Sequence, residues 1–516
     1  MQLLRLAWLV TLLFIWAQKA MAQDVTLRSH DGAMVLPGDL LGYDGAFYRL
    51  QTRFGEMTVD GSAVDCHGPG CPDLTNFVPE VTLAGPAEIA DRLMPVLFRA
   101  FAAGNGYGIL QGQVSNRSTR YEFIRKSDGK PVGEITLHTS STEEALIGLL
   151  ANDVDVAFSR RRLTEAENTL GKEGGLGNLN QRARILALDA LVPIVHADNP
   201  LMSISPGQLA RVLSGEITNW QGLGGPDAPI AVHVWARESE LDHVTQGRLL
   251  APQELQLTDA AHEHDDVDTL MHAVNMDPFA IGIGNRLGTN GARILPLDGG
   301  CGYILNADQN SIKTGDYPLA APLLLYLPAR RFPKILRNFL TYLSTPAAQE
   351  RIRAAGYIDQ LPDRVKIGQQ GNRVSNAILQ AGEDIGLPEL QTMIRALRPM
   401  QRLTTTFRFA AGSARLTPQS RENLRRVADA VEQGRYDNRT LVFVGFSDGQ
   451  GAAGDNLEIA RKRAETMHDS VIALAETADD SKLQLEVMGF GEALPMTCDK
   501  AEWGRRVNRR VELWLR

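Results

Sequence analysis

Near its C-terminus the chain reads Gly445-Phe446-Ser447-Asp448. Asn456 follows eight residues after this aspartate, and Arg463 follows fifteen residues after it. The chain closes on Asn508-Arg509-Arg510-Val511-Glu512-Leu513. The apolar run 441–446 predicts a strand that ends just before Asp448, and Asn456 is typical of a helix start. Arg463 would then lie about two turns into that helix, so that one carboxylate and one guanidinium are held by neighbouring elements.

These intervals resemble the pattern of OmpA-like peptidoglycan-binding domains, which runs Gly-His-Thr-Asp, then Asn, then Arg, then a terminal Asn-Arg-Arg-Val-Glu. Phe446 stands where the family has His and Ser447 where it has Thr, which changes the hydrogen bonding of the loop. The resemblance covers residues 403–516 and implies an α+β domain. It also implies a peptidoglycan-binding site formed by Asp448, Asn456, Arg463 and Arg509.

The charges of this pattern suit the diaminopimelate of a cell-wall stem peptide, which presents an ammonium beside a carboxylate. Asp448 would take the ammonium. Arg463 would take the carboxylate, because its planar fork donates two parallel hydrogen bonds. A surface ion pair is the alternative for any single Asp or Arg, but the complete pattern favours peptidoglycan as the partner.

The N-terminus has the layout of a cleaved secretory signal over residues 1–22. Arg5 precedes the apolar run 7–17, and the small residues of 20–22 precede Gln23. A membrane anchor is the alternative, but the run is shorter than the roughly 18 residues of a bilayer span. No cysteine follows the cleavage site, so no lipid anchor is expected. No other stretch reaches about 18 apolar residues, so no transmembrane segment is expected in the mature chain. With the wall-binding resemblance, this predicts a periplasmic protein associated with the cell wall and outer membrane.

The composition is that of an ordinary globular protein of about three domains, with 516 residues, 44% hydrophobic and 22% charged. The net charge of -8 disfavours nucleic acid as a partner. Cys66 and Cys71 bracket a short turn-rich segment and predict a disulfide. Cys301 and Cys498 lie far apart in sequence, which favours free thiols and leaves their state open.

Residues 23–77 alternate apolar and polar positions with frequent glycine, which predicts a small all-β module without an assigned role. From Glu80 onward, strands alternate with helices, so a mainly parallel α/β sheet is expected over 78–360. The expected strands are 81–84, 134–138, 154–158, 187–196 and 323–327. Residues 361–402 contain a helical stretch, 377–397, and are expected to connect this domain to the C-terminal one.

The segments LSGEITNWQGLGGPDAPIAVHVWAR (213–237) and DYPLAAPLLLYL (316–327) resemble the substrate-binding proteins of phosphate ABC transporters. The resemblance implies a type II periplasmic binding fold, with two α/β lobes and a ligand cleft at their junction. In that family an oxyanion lies against helix N-termini and short hydroxyl side chains. The positions implied here are Ser140, Ser141, Thr142, Ser159, Arg160 and Arg237.

Several features weaken the ligand assignment more than the fold assignment. Ser141 and Glu144 match a capping box, and the arginine run 160–162 has a solvated loop as its alternative. Pro86 lacks an N–H at the first anion position, and residues 241–243 read Leu-Asp-His where the family has Ser-Gly-Thr. The alternative to a phosphate-like ligand is therefore an envelope scaffold or adaptor whose cleft has lost the phosphate.

No sequence pattern indicates catalysis, a cofactor or a metal site. Residues 262–266 read His-Glu-His-Asp-Asp, but their crowded spacing suits no zinc or calcium motif and predicts an exposed acidic loop. Nucleophile elbows, Walker loops and dinucleotide-binding loops are absent in the appropriate context. The sequence therefore predicts a non-catalytic binding protein.

Overall fold

The computed structural model describes residues 24–74, 77–237, 239–286, 291–381, 385–409, 415–479 and 481–516. The predicted signal peptide, residues 1–22, lies outside the described residues. Within them the chain forms two compact units. The first comprises 24–82, 102–136 and 330–342, and the second comprises 83–101, 137–329 and 343–516. In the described part of the chain, no helix is long and apolar enough to span a bilayer.

The N-terminal part of the first unit is an antiparallel sheet in the strand order β4-β3-β2-β1-β5. Its strands are β1 Val25–Ser29, β2 Val35–Tyr43, β3 Phe47–Thr52, β4 Gly55–Asp60 and β5 Val64–His67. The core contains Val25, Leu27, Leu36, Tyr48, Leu50 and Val64. Cys66 and Cys71 form the predicted disulfide, with 5.8 Å between their Cα atoms. The alternation of the sequence thus produced the expected small β module.

The first unit also contains a long hairpin that the sequence reasoning missed. Its strands are β7 Tyr107–Ser115 and β8 Ser118–Arg125. Many of its outward positions are polar and its turn is Asn116-Arg117, so its amphipathic pattern is weak. Helix Lys334–Tyr342 belongs to the same unit, and Arg337 at its centre donates to Asp44 Oδ2 at 2.9 Å.

The first lobe of the second unit is built around a mixed sheet. β10 Val156–Ser159 pairs in parallel with β6 Glu80–Gly85, but β19 Leu323–Tyr326 runs antiparallel to both β10 and β11 Arg184–Ala187. The expectation of a mainly parallel sheet is therefore wrong for this lobe, because β19 returns to it from the opposite direction. β9 Pro131–Thr139 leads into the helix Thr142–Ala151. The other helices here are Met94–Gly104, Glu165–Glu173, Leu179–Arg182 and Pro346–Ala354.

The second lobe has its own five-stranded sheet in the order β14-β13-β15-β12-β16. Its strands are β12 Leu191–Val195, β13 Ala231–Trp235, β14 His262–His264, β15 Ala280–Asn285 and β16 Arg293–Ile294. The short ladder β17 Leu297–Asp298 with β18 Ile304–Leu305 follows it. Its helices are Pro206–Leu213, Glu240–Thr245, Val267–Met276 and Gln309–Lys313.

The predicted single strand 187–196 is wrong. It is two strands, β11 and β12, which belong to different sheets and are separated by residues 188–190. Leu188 pairs instead with Ile358, and the buried Asp189 accepts a hydrogen bond from Arg160. A continuous apolar run cannot reveal such a crossing, because both strands are buried and equally hydrophobic.

The C-terminal sheet has the order β20-β21-β24-β22-β23. Its strands are β20 Arg364–Lys366, β21 Gln401–Arg408, β22 Arg439–Phe446, β23 Leu483–Gly489 and β24 Arg510–Leu515. Helices Pro418–Glu432 and Ala453–Leu474 share one core with the sheet. The predicted connector contributes β20 and two helices, Gly371–Leu379 and Leu387–Leu397, which share a second core with Val442, Val444 and Trp514. Helix Glu502–Asn508 precedes the last strand.

Cys301 and Cys498 are joined by a disulfide, with 5.4 Å between their Cα atoms. Their state, which the sequence left open, is therefore oxidised although 197 residues separate them. The turn 299–301 lies against the C-terminal domain, because Gly299 O accepts hydrogen bonds from Cys498 N at 3.0 Å and from Thr497 Oγ1 at 2.7 Å. Two cysteines far apart in the sequence are therefore neighbours in the folded chain.

Candidate functional site

Asp448 lies two residues beyond β22, as the sequence predicted, and is only 8% exposed. Its Oδ2 accepts a hydrogen bond from Arg509 Nη1 at 2.7 Å, and Arg509 also contacts Glu502 Oε1 at 2.6 Å. The end of β22 and the end of helix Glu502–Asn508 therefore bring two of the four predicted residues together. The carboxylate is held in one orientation by a charge-assisted hydrogen bond.

The loop around Asp448 is fixed by its backbone. Ser447 N donates to Gly491 O at 2.8 Å, and Gly449 N donates to Asp499 Oδ2 at 2.6 Å. At Gly445 an added Cβ would lie 1.8 Å from Ala460 O, so a side chain would push apart β22 and the helix that carries Arg463. Asp499 was missed by sequence reasoning, because it belongs to no recurring motif and acts fifty residues away from Gly449.

Arg463 is half-buried on helix Ala453–Leu474, with its guanidinium 5.8 Å from the ring centre of Phe409. Its Nη1 is buried and has no hydrogen-bond partner among the described residues. Burial lowers the pKa of Arg463, the negative charge of Asp448 opposes that change, and the positive charge of Arg509 adds to it. The guanidinium thus interacts electrostatically with Asp448 while retaining a donor that no side chain or backbone oxygen described here occupies.

Asn456 lies at the start of the helix that carries Arg463. The helix begins at Ala453 and Ala452 is its N-cap, so Asn456 lies within the first turn and does not cap it. Its buried side chain donates from Nδ2 to Glu492 Oε2 at 2.6 Å. Asn456 therefore ties the start of the helix to the loop after β23, which also supplies Gly491 to the Asp448 loop.

In the first lobe, the predicted hydroxyl positions are all hydrogen-bonded within the chain. Ser141 is the N-cap of helix Thr142–Ala151 and forms the expected capping box with Glu144. Ser140 Oγ donates to Ser141 O at 3.1 Å, and Thr142 Oγ1 donates to Ser159 Oγ at 2.9 Å. Ser159 Oγ in turn donates to Arg161 O at 2.7 Å.

The arginines of the predicted cleft are paired with carboxylates. Arg160 is buried and donates to Glu88 and, at 2.9 Å, to Asp189 Oδ2. Arg161 contacts Glu143 and Glu167, so the solvated-loop alternative for 160–162 is wrong for the first two positions. The more exposed Arg237 pairs with Glu263 Oε1 and Asp259 Oδ1, both at 2.8 Å.

The His-Glu-His segment forms the strand β14 and is not the loop that was predicted. It pairs in parallel with β13, which brings His264 Nε2 to 2.9 Å from Nδ1 of His233. Burial, followed by the charges of His262 and His264, lowers the pKa of His233 to about 4. Within the residues that the structure describes, no group of His, Cys, Asp and Glu side chains is arranged to hold a metal ion.

Comparison with known proteins identifies two regions. Residues 130–346 match the PBP superfamily domain, and residues 408–509 match the OmpA family. The phosphate-binding protein PstS of Borreliella burgdorferi is 22% identical over 242 residues, which are 44% of this chain and 79% of PstS. A solved ABC-type phosphate transport receptor from Vibrio cholerae is 19% identical, with a TM-score of 0.42, and the match covers 54% of this chain and 99% of the receptor.

The C-terminal region is similar to several known proteins. The outer-membrane lipoprotein YfiB of Pseudomonas aeruginosa is 34% identical over 99 residues, 19% of this chain and 55% of YfiB. The peptidoglycan-binding protein ArfA of Mycobacterium tuberculosis is 29% identical over 105 residues, 20% of this chain and 30% of ArfA. The chain thus spans about half or less of these two proteins. It combines a domain of the PBP superfamily with a C-terminal domain of the OmpA family.

Proposed function

We propose that this protein is a non-catalytic component of the periplasm that binds peptidoglycan through its C-terminal domain, at the cell wall and outer membrane. The observation that carries the proposal is the arrangement of Asp448 and Arg463. A carboxylate held by Arg509 lies in the field of a guanidinium whose Nη1 has no partner among the described residues. The OmpA family match and the similarity to the peptidoglycan-binding protein ArfA support the same ligand class.

The ligand we propose is the zwitterionic end of diaminopimelate in a stem peptide. Its ammonium binds Asp448, and its carboxylate binds Arg463, whose buried Nη1 then gains an acceptor. A buried donor without a partner costs about 1–3 kcal/mol, so satisfying it favours the bound state. Arg509 and Asn456 position the two charged groups and the loop that carries them.

The test is co-sedimentation of the full chain with purified sacculi. Asp448→Ala and Arg463→Ala are each expected to reduce the bound fraction at least tenfold, since each removes one charge partner of the zwitterion. Arg461→Ala is the matched control, because Arg461 is on the same helix, is exposed and pairs only with the exposed Glu465 in the described structure. If both site variants stay folded and bind like Arg461→Ala, the site assignment is wrong.

For the PBP superfamily domain we propose the scaffold or adaptor role in preference to a phosphate-like ligand. The observation that favours it is that Ser140, Ser141, Thr142, Ser159, Arg160 and Arg237 are all engaged within the chain. A thermal-shift screen with phosphate, sulfate, molybdate and small carboxylates tests this choice. A concentration-dependent rise in the melting temperature of the wild-type chain would restore the anion-binding hypothesis.

A further inference from the structure

We propose that Glu240 is an internal ligand of the cleft. Its carboxylate occupies the anion position at the N-terminus of helix Thr142–Ala151, joins the two lobes, and excludes a free oxyanion from that position. The proposal concerns a different domain from the wall-binding site and does not depend on it.

The first observation is a hydrogen bond between the lobes. Thr142 is the first residue of its helix, and its backbone N–H donates to Glu240 Oε1 at 2.8 Å. Glu240 is itself the first residue of helix Glu240–Thr245 in the second lobe. The backbone N–H groups at a helix N-terminus favour a negative charge, and a carboxylate supplies that charge as an oxyanion would.

The second observation concerns the donors around Thr142. Its hydroxyl is buried and bonded to the buried Ser159, whose Oγ also accepts from Arg161 N at 3.0 Å. Glu144 N is taken by Ser141 Oγ at 3.1 Å. In the described structure these hydroxyl and backbone donors already have acceptors, so an added anion must displace one of them. Among these acceptors, the one that carries a charge is Glu240.

The third observation concerns the second carboxylate oxygen of Glu240. Its Oε2 is shielded from solvent and has no hydrogen-bond partner among the described residues. A solvated surface glutamate would keep this oxygen in water. This oxygen of the carboxylate is therefore shielded, and removal of the side chain would leave Thr142 N without its acceptor.

The charge of the second lobe agrees with this assignment. Helix Glu240–Thr245 has acidic residues at two positions of its first turn, Glu240 and Asp242, and Asp242 is 8% exposed. Two carboxylates at this helix start would repel a free anion that approached between the lobes. The acceptor for the Thr142 N–H of the first lobe is then the carboxylate of Glu240.

The experiment uses the full chain and inorganic phosphate as the probe, with acetate as a carboxylate mimic of the missing side chain. Wild type is expected to show no phosphate-dependent rise in melting temperature. Glu240→Ala is expected to melt lower without added anion, and to be stabilised by phosphate and by acetate in a concentration-dependent way. By calorimetry, its dissociation constant for phosphate should be at least about tenfold lower than that of wild type.

Two variants and one control separate this effect from a general loss of stability. Glu240→Gln keeps an oxygen that can accept from Thr142 N, so it should respond to phosphate less than Glu240→Ala. Thr142→Pro removes the N–H at a helix position that tolerates proline, so in combination with Glu240→Ala it should abolish the gain in phosphate binding. Glu216→Ala, at an exposed ion pair with Arg211 in the second lobe, should behave like wild type.

The outcomes decide the proposal. It is overturned if wild type binds phosphate as tightly as Glu240→Ala, if Glu240→Ala gains no response to either anion, or if the gain persists in the double variant with Thr142→Pro. Should Glu240→Ala fail to fold in plain buffer, refolding is repeated with phosphate or acetate. Recovery by either anion supports the internal-ligand role, and failure of both overturns it.

Discussion

Arg463 shows how a single residue can combine burial with an unused donor. Its guanidinium is half-buried beside Phe409, and Nη1 has no partner in the described structure. Its planar fork, more than its charge, distinguishes it from lysine. Substitution by lysine, which keeps the charge and loses the planar fork, therefore tests the site more specifically than removal of the side chain.

We predict that Arg463→Lys retains part of the wall affinity. The charge remains, but two parallel hydrogen bonds to a carboxylate become impossible, so binding to sacculi should weaken by about tenfold and remain above that of Arg463→Ala. Dissociation constants from titrated co-sedimentation measure the difference. Equal binding by wild type and Arg463→Lys would show that only the charge matters.

Asp499 gives a second prediction at this scale. It accepts from Gly449 N and from Asn508 Nδ2, and so connects the loop that carries Asp448 to the residue before Arg509. Asp499→Ala should weaken sacculus binding while Asp448 and Arg463 are unchanged, and Asp499→Asn, which keeps an acceptor oxygen, should restore most of it. Loss of binding in both variants would contradict a positioning role.

The spacing of Asp448, Arg463 and Arg509 could be predicted from the sequence because all three belong to the pattern of the OmpA-like family. Glu240 and Asp499 were not, since their partners, Thr142 N and Gly449 N, are backbone groups far away in the chain. Any carboxylate can accept from a backbone N–H, so residue type alone does not single them out.

At the scale of elements, the stability of the strand pair β13–β14 depends on pH. His233 lies among His262 and His264, and its pKa is lowered to about 4, chiefly by burial. The unfolded chain binds a proton at this histidine below about pH 6.5, whereas the folded chain does not until about pH 4. Stability is therefore lost as the pH falls through this window.

We predict that this strand pair loses about 2 kcal/mol of local stability between pH 7 and pH 5. Hydrogen exchange of the β13 amides, extrapolated to their opening free energy, measures the loss. His233→Gln, which cannot titrate, should show a smaller change over the same interval. An equal change in the variant would assign the pH dependence to other groups.

Helix starts were the most predictable elements, because a cap is a local signal. Ser141 caps its helix, with the capping box that the sequence indicated. Strand partners were less predictable, because β19 and the β11–β12 crossing depend on contacts over more than a hundred residues. The strand β14 was missed because its polar residues lie at a sheet edge, where side chains need not be apolar.

At the scale of the molecule, the Cys301–Cys498 disulfide closes a loop of 197 residues. In the chain-entropy description, such a crosslink stabilises the folded state by about 5 kcal/mol, because it restricts the unfolded chain. Cys301→Ser combined with Cys498→Ser should therefore lower the melting temperature. Reductant should lower the melting temperature of wild type more than that of the double variant, which keeps only the Cys66–Cys71 disulfide. An equal effect of reductant on both proteins would contradict the contribution of the Cys301–Cys498 bond.

Buried charge also links the domains of the second unit. Asp316, which follows helix Gln309–Lys313, contacts Arg402 and Arg408 of β21, while Lys313 contacts Asp359 and Asp363. These groups were not predicted, because each is an ordinary charged residue in sequence and acquires its partner only when two domains pack. The pairs made by Asp316 hold the C-terminal sheet against the region of helix Gln309–Lys313.

The disulfide between the turn 299–301 and Cys498 also sets the route of mechanical force. Cys498 adjoins Asp499, which is bonded to the loop of Asp448. If the C-terminal domain binds the wall as proposed, a load on that loop has a route through Asp499, Cys498 and the disulfide into the second lobe, in parallel with the route along residues 302–497.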